Sequence, residues 1–334
     1  MNRNTTMFQP ARRALGRTLT SAILGAALLA SGGAFAQADL TRILVAFPPG
    51  GPVDFIARTL SQQLSWELGH NVIVENKPGA NGAIAADTVI RATPDGKTLW
   101  LTSVGAVSIN PGLYPKLGYK PATDLAPVSL VVNNVEMLVV NPQASYKSPV
   151  DFVNAARLSK NKPLTMASSG TGSVPHLAAM LLNESAGTNL LHVPYKGAAP
   201  AISDVMAGHV DGFFGDIPGL VGGIDGGKLK PLGIAASRRN ARYPNVPTFE
   251  ELGIKGVDSN NWYAVFAPKG TSTEITAKLS RAIHDALNTP EVKSKIEASG
   301  AEVVGSTPQE LSRQMAADTA KWAAVIRRNN ITPD

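Results

Sequence analysis

The sequence predicts an α/β fold of two lobes, and three observations carry that prediction. Short apolar runs alternate with stretches of helical spacing. Two further apolar runs, residues 135–140 and 262–267, fall where a chain would cross between lobes. Once an N-terminal leader is set aside, 298 of the 334 residues remain, enough for two cores without a disulfide. The chain has no cysteine to supply one.

The elements follow in order. Residues 42–47 (R-I-L-V-A-F) read as a buried strand. Residues 53–68 carry Ile56, Leu60, Leu64 and Leu68 at fourfold spacing, one face of a helix. A second strand is expected over 71–75, a helix over 82–92 and a third strand over 98–102. Strands separated by helices imply parallel βαβ units. In the middle of the chain, 164–167, 190–194, 210–214 and 229–235 read as strands. Helices fill 174–186 and 200–207, the latter stopped by Gly208. Helices are also expected over 272–287 and 308–327. If the two crossovers join lobes, lobe one is residues 37–140 plus 264–334 and lobe two is residues 141–263. A single large α/β domain is the alternative, because periodicity does not display lobe boundaries.

The first 36 residues read as a secretory signal. Arg3, Arg12, Arg13 and Arg17 precede a short apolar core, and Ala34 and Ala36 form an A-x-A cleavage site. The apolar part is shorter than the roughly 20 residues a membrane span needs, which argues against a retained anchor. Arg12-Arg13 is a weak twin-arginine match, so the general secretory route is favoured. Cleavage near Ala36 removes four of 31 basic residues and none of 25 acidic ones. The mature chain then holds 27 basic against 25 acidic residues, a net charge of +2. That near-neutral balance gives no basic face for nucleic acid. The histidines at 70, 176, 192, 209 and 284 lack the short spacings of a zinc site, and no cofactor is implied.

Two loops stand out as anion cradles. The first, F-P-P-G-G-P-V-D, offers Phe47, Pro49, Gly50, Gly51, Val53 and Asp54. Its glycines let backbone approach a ligand. Pro52 suits a first helical position. The opening N–H groups of the following helix then favour an anion by hydrogen bonding and by the dipole. The second loop, after a strand, carries Ser168, Ser169, Gly170, Thr171, Gly172 and Ser173 ahead of another helix. Both loops lie at strand carboxyl ends, where open parallel sheets place their ligands. Ser103, Gly105 and Ala106 close the third strand with small residues that leave room for a ligand. Asp216 ends a strand and either receives a ligand N–H or hydroxyl or simply forms a turn. Trp262 and Tyr263 either line the cleft or pack the junction.

Enzyme signatures fail on detail. No P-loop, dinucleotide fingerprint or G-x-S-x-G elbow occurs. A Ser168–His176 pairing lacks an orienting acid, which favours a structural His176 at the helix start. No catalytic residue is assigned.

Seven segments then carry a resemblance. They are A-F-P-P-G-G-P-V-D (46–54), V-E-N-K-P-G-A-N-G (74–82), P-D-G-K-T-L (94–99), A-S-S-G-T-G (167–172), H-V-P-Y-K-G-A-A-P-A (192–201), G-K-L-K-P-L-G (227–233) and V-P-T-F-E-E-L-G (246–253). In order and spacing the chain resembles the Bug family, the substrate-binding receptors of tripartite tricarboxylate transporters. Lys97 stands where relatives commonly carry tyrosine. The resemblance implies a two-lobed, type II-like periplasmic binding protein fold. It implies a monomeric periplasmic receptor that closes on a di- or tricarboxylate, an acidic amino acid or an aromatic carboxylate. The ligand carboxylate would be held by backbone amides of residues 49–54, often through water, with help from residues 168–173. Asp216 and residues 103–106 match positions near the distal end of such ligands. Membrane transporter subunits are the implied partner. A sensor feeding a signalling partner is the alternative, and an exported carboxylate-processing enzyme a more remote one.

Overall fold

The computed structural model describes residues 40–79, 82–159 and 161–333. The leader and its cleavage site lie outside the described residues. Thr41–Asp334 forms one compact unit built on two sheets.

The first sheet begins with β1 (Leu40–Val45), helix α1 (Pro52–Leu68), β2 (Asn71–Asn76), α2 (Ala83–Ile90) and β3 (Thr98–Ser103). In β1 and β3, Leu44 and Trp100 face one core, while Ile43, Val45, Leu99 and Leu101 face the other. That twofold alternation with apolar residues on both sides is what a sheet covered on both faces requires. On α1 the expected stripe of Ile56, Leu60 and Leu64 is fully buried, and Gly69 at φ +75° ends the helix.

A π-turn (Gly105–Ile109) and two short helices, α3 (Asn110–Leu113) and α4 (Pro121–Asp124), lead to β4 (Leu125–Asn134). Then β5 (Glu136–Val140), α5 (Pro149–Leu158), β6 (Thr165–Ser168), α6 (Val174–Ala186), β7 (Leu191–Pro194), α7 (Ala198–Ala207), β8 (Gly212–Asp216), α8 (Ile217–Asp225) and β9 (Lys230–Ile234) build the second sheet. The chain returns as β10 (Asn261–Pro268) and finishes with α9 (Thr273–Asn288), α10 (Pro290–Ala298), β11 (Glu302–Val303) and α11 (Pro308–Arg328).

The sheet orders are β11-β4-β10-β3-β1-β2 and β7-β6-β8-β5-β9. Parallel pairing holds for β1 with β3 and for β6 with β7 and β8. The crossover strands break it. β10 runs antiparallel to β3 and β4, and β5 antiparallel to β8 and β9. A strand arriving from the other sheet enters from the opposite end, so the βαβ expectation gives way to mixed sheets.

The same strands move the crossing points. The run 136–140, assigned by sequence to the end of lobe one, belongs to the second sheet, and the chain crosses at Val135. Likewise Asn261, Trp262 and Tyr263, assigned to lobe two, lie in the first sheet. Seven elements escaped the sequence reading: α3, α4, β4, α5, α8, α10 and β11.

The two halves share a seam. Val174, Leu177 and Leu181 of α6 sit in one apolar cluster with Leu113, Trp322, Val325 and Ile326 of the first half. Arg328 of α11 clasps Glu184 of α6 through two nitrogens, at 3.1 and 3.0 Å.

Candidate functional site

A cavity of about 450 Å³ is lined by loops from both halves. Its walls follow the carboxyl ends of β1, β3, β6, β7 and β8, where ligand sites of open α/β sheets lie.

The loop after β1 enters it through Phe47, Pro49, Gly50, Gly51 and Val53. Gly51 is the N-cap of α1 and Pro52 its first residue. The N–H groups of Val53 and Asp54 therefore have no carbonyl one turn back. Asp54 does not line the cavity. Its Oδ2 accepts from Gly50 N and from Arg58 Nε, each at 2.9 Å, and its Oδ1 accepts from Asn76 Nδ2 at 2.8 Å. Asn76 Nδ2 also reaches Phe47 O at 3.0 Å. Burial pushes the Asp54 carboxyl up, but the bonds from Arg58, Gly50 and Asn76 outweigh it and hold it below its ordinary value. Asp54 is thus the buried staple of the loop, holding Gly50 at φ +81°, a conformation that suits glycine.

The loop after β6 enters through Ser169 and Ser173, whereas Ser168, Gly170, Thr171, Gly172 and His176 stand outside the lining. Ser168 Oγ receives Gly170 N at 3.1 Å and meets His192 Nε2 at 2.6 Å. The serine therefore pairs with His192 and not with His176. His176 Nδ1 accepts from Gly172 N at 3.1 Å, which puts the proton of the neutral ring on Nε2. The two imidazoles stack with centroids 3.6 Å apart. His176 is structural, as its place at the helix start suggests. Gly172 is pressed against the other half, since a Cβ there would lie 2.0 Å from Leu113 Cδ2.

Of the residues closing β3, Ser103 and Gly105 line the cavity and Ala106 does not. Ala106 is fully buried in the π-turn, where its carbonyl accepts from Tyr119 Oη at 2.6 Å.

Two helix starts were not foreseen. Gly197, at φ +111°, caps α7, and Ala198, Ala199 and Pro200 form part of the wall. Asp216 caps α8, and Gly219 of that helix also faces the cavity. With α1 and α6, four helix N-termini converge on one space, each carrying partial positive charge. The exposed Lys196 adds a full charge at the rim, which sequence reasoning left unassigned.

The inner wall is acidic. Asp216 faces Glu136 across the β5–β8 pair. Tyr263 Oη donates to Asp216 Oδ2, and Asn261 Nδ2 donates to Oδ1 at 2.9 Å. Trp262 points the other way, donating to Asp318 at 2.7 Å within the core. Of the aromatic pair, Tyr263 reaches the cavity and Trp262 packs. Glu136 lines the cavity yet is fully buried. Sequence reasoning missed it, although the signal was present: one acid inside the apolar run V-E-M-L-V-V.

Burial, and then the neighbouring Asp216, pushes the Glu136 carboxyl well above its ordinary value of 4.5. Burial also raises Asp216, and the bonds from Tyr263 and Asn261 work against it. Above about pH 4.5 the unfolded chain has given up the Glu136 proton that the folded chain keeps. Stability therefore falls as pH rises, by at most about 1.4 kcal/mol per pH unit for one group. Glu136→Gln removes that loss. Thermal melts over a rising pH series from about pH 4 should show the variant gaining on the parent protein until Glu136 itself ionises. Parallel pH profiles would contradict the assignment.

Among the described residues no group of histidines and acids is placed to hold a metal ion, and no helix is long and apolar enough to cross a membrane.

Comparison with known proteins agrees with this geometry. Residues 56–331 match the tripartite tricarboxylate transporter family receptor. The chain is 36% identical to protein BugT of Bordetella pertussis over 287 residues, 86% of this chain and 88% of BugT. MatC of Rhodopseudomonas palustris, solved with bound malate, superposes with a TM-score of 0.78 at 33% identity, covering 86% of this chain and 99% of MatC. Rpa4515 of the same organism, solved with adipate, gives 0.82 at 30% identity, covering 88% and 99%. The Bug resemblance and the two-lobed periplasmic binding fold are borne out. The family is one of periplasmic solute receptors and not of enzymes. The chain belongs to the tripartite tricarboxylate transporter receptor family, a family of solute-binding receptors.

Proposed function

We propose that the protein is an exported, monomeric periplasmic receptor that captures a small carboxylate between its halves. It passes that ligand to the membrane subunits of a tripartite tricarboxylate-type transporter. The observation that carries this reading is the convergence of four helix N-termini on a single cavity, with Lys196 at its rim. The carboxylate takes hydrogen bonds from the backbone at Gly51 and Val53 and from Ser169 and Ser173. Each charge-assisted bond is worth roughly 1.5–3 kcal/mol. The malate of MatC and the adipate of Rpa4515 support the ligand class, and residues 1–36 support export.

A thermal-shift screen over aliphatic and aromatic carboxylates tests the reading. A true ligand at 100 times its Kd should stabilise the fold by about 2.7 kcal/mol. A melting temperature untouched by every acid in the screen would remove the carboxylate from the proposal. Mass spectrometry of the recovered ligand should show it unaltered.

A further inference from the structure

We propose that the inner end of the cavity selects a carboxylate whose far end is a protonated amine, held by Glu136 and Asp216. The inference rests on the carboxylate-receptor reading and narrows its substrate class. It begins with an imbalance of donors. Asp216 receives Tyr263 Oη and Asn261 Nδ2. Glu136 is 0% exposed, lines the cavity, and receives no hydrogen bond at either oxygen from the described residues. Leaving a buried polar group unmatched carries a cost, so such groups in folded proteins have partners. Even with its proton kept, Glu136 has a carbonyl oxygen that needs a donor, and the cavity is the direction from which one can arrive.

An ammonium suits that wall on three counts. It brings three N–H donors and no acceptor. It brings positive charge to a place where two acids face each other across paired strands. The cavity wall also holds both signs, with exposed Lys196 and the helix starts set beside the fully buried Glu136 and half-buried Asp216. A second carboxylate would add negative charge beside Asp216, with only the single proton of Glu136 to meet it. A hydroxyl would satisfy one oxygen and leave the charge unanswered.

The test uses pairs matched in length and differing only at one end: succinate with 4-aminobutyrate, glutarate with 5-aminopentanoate, adipate with 6-aminohexanoate. Pentanoate serves as the acid with no far-end group. Affinities are measured by calorimetry at pH 7 on the mature protein. For the length that fits, the amino acid should bind at least about tenfold more tightly than its dicarboxylate, the scale of one charge-assisted bond. Glu136→Gln and Asp216→Asn, each checked for an intact fold by circular dichroism, should shrink or reverse that preference, read in each protein as the ratio of amino-acid to dicarboxylate affinity. A dicarboxylate or pentanoate that binds as well as its amino partner overturns the inference while leaving the receptor reading intact. Failure of every acid, pentanoate included, overturns both. If neither variant folds, the parent protein's preference decides alone.

Discussion

Gly51→Val should weaken carboxylate binding at least about a hundredfold, close to 2.7 kcal/mol, and leave the fold nearly unchanged. Gly51 is the N-cap of α1 and part of the cavity wall. Its φ of −78° and ψ of 171° lie in the extended region open to any residue. A Cβ there meets only Pro48 O, at 3.5 Å, an ordinary contact. Valine is a poorer N-cap than glycine, a loss of about 1 kcal/mol at most. Its two methyls, however, stand over the N–H groups of Val53 and Asp54 that an anion must reach. Calorimetry and a melting curve on the same sample separate the two effects. Undiminished affinity would move the anion site away from this loop.

Gly172→Ala should have the opposite profile, a large loss of stability. Gly172 sits at φ +74°, where a side chain costs about 1–2 kcal/mol. The new Cβ would lie 2.0 Å from Leu113 Cδ2, and Leu113 is itself 2% exposed. Overpacking of this kind costs about 1–3 kcal/mol, so about 2–5 kcal/mol in total is expected in denaturant unfolding. Leu113→Ala in the same chain should recover the clash but not the backbone cost. The pair should therefore be less damaging than the sum of the singles. Strict additivity would show that Leu113 moves aside freely.

These two glycines illustrate what the sequence makes legible. Gly51 stands before a proline at the start of an apolar helical stripe, a local pattern with a local meaning. Nothing local announces that Gly172 is pressed against Leu113, because that contact joins residues far apart in the chain. The helices with strong fourfold stripes were legible, and α6 falls on the expected residues. The strand β4 was not, because Pro127, Ser129 and the paired asparagines interrupt its apolar run. The crossing points were misjudged for a related reason. Residues 136–140 read as a buried strand, but only pairing with β8 and β9 decides which sheet owns it. At the site, the glycine-rich loops were visible as motifs. Asp54, Ser168 and His176 turned inward because loops that present backbone N–H groups need side chains to brace them. Lys196 and Glu136 were missed because each is a single charge whose meaning comes from the opposite wall.

The seam between α6 and α11 bears on how such a receptor lets go. Leu177 and Leu181 would each cost roughly 2 kcal/mol to return to water, and the Arg328–Glu184 clasp lies over the same edge. Pulling the halves apart along their whole length would expose that seam. Tilting about it would keep it covered. Val174 belongs both to this seam and to the cavity wall, so the packing that joins the halves and the space for a ligand meet at one residue.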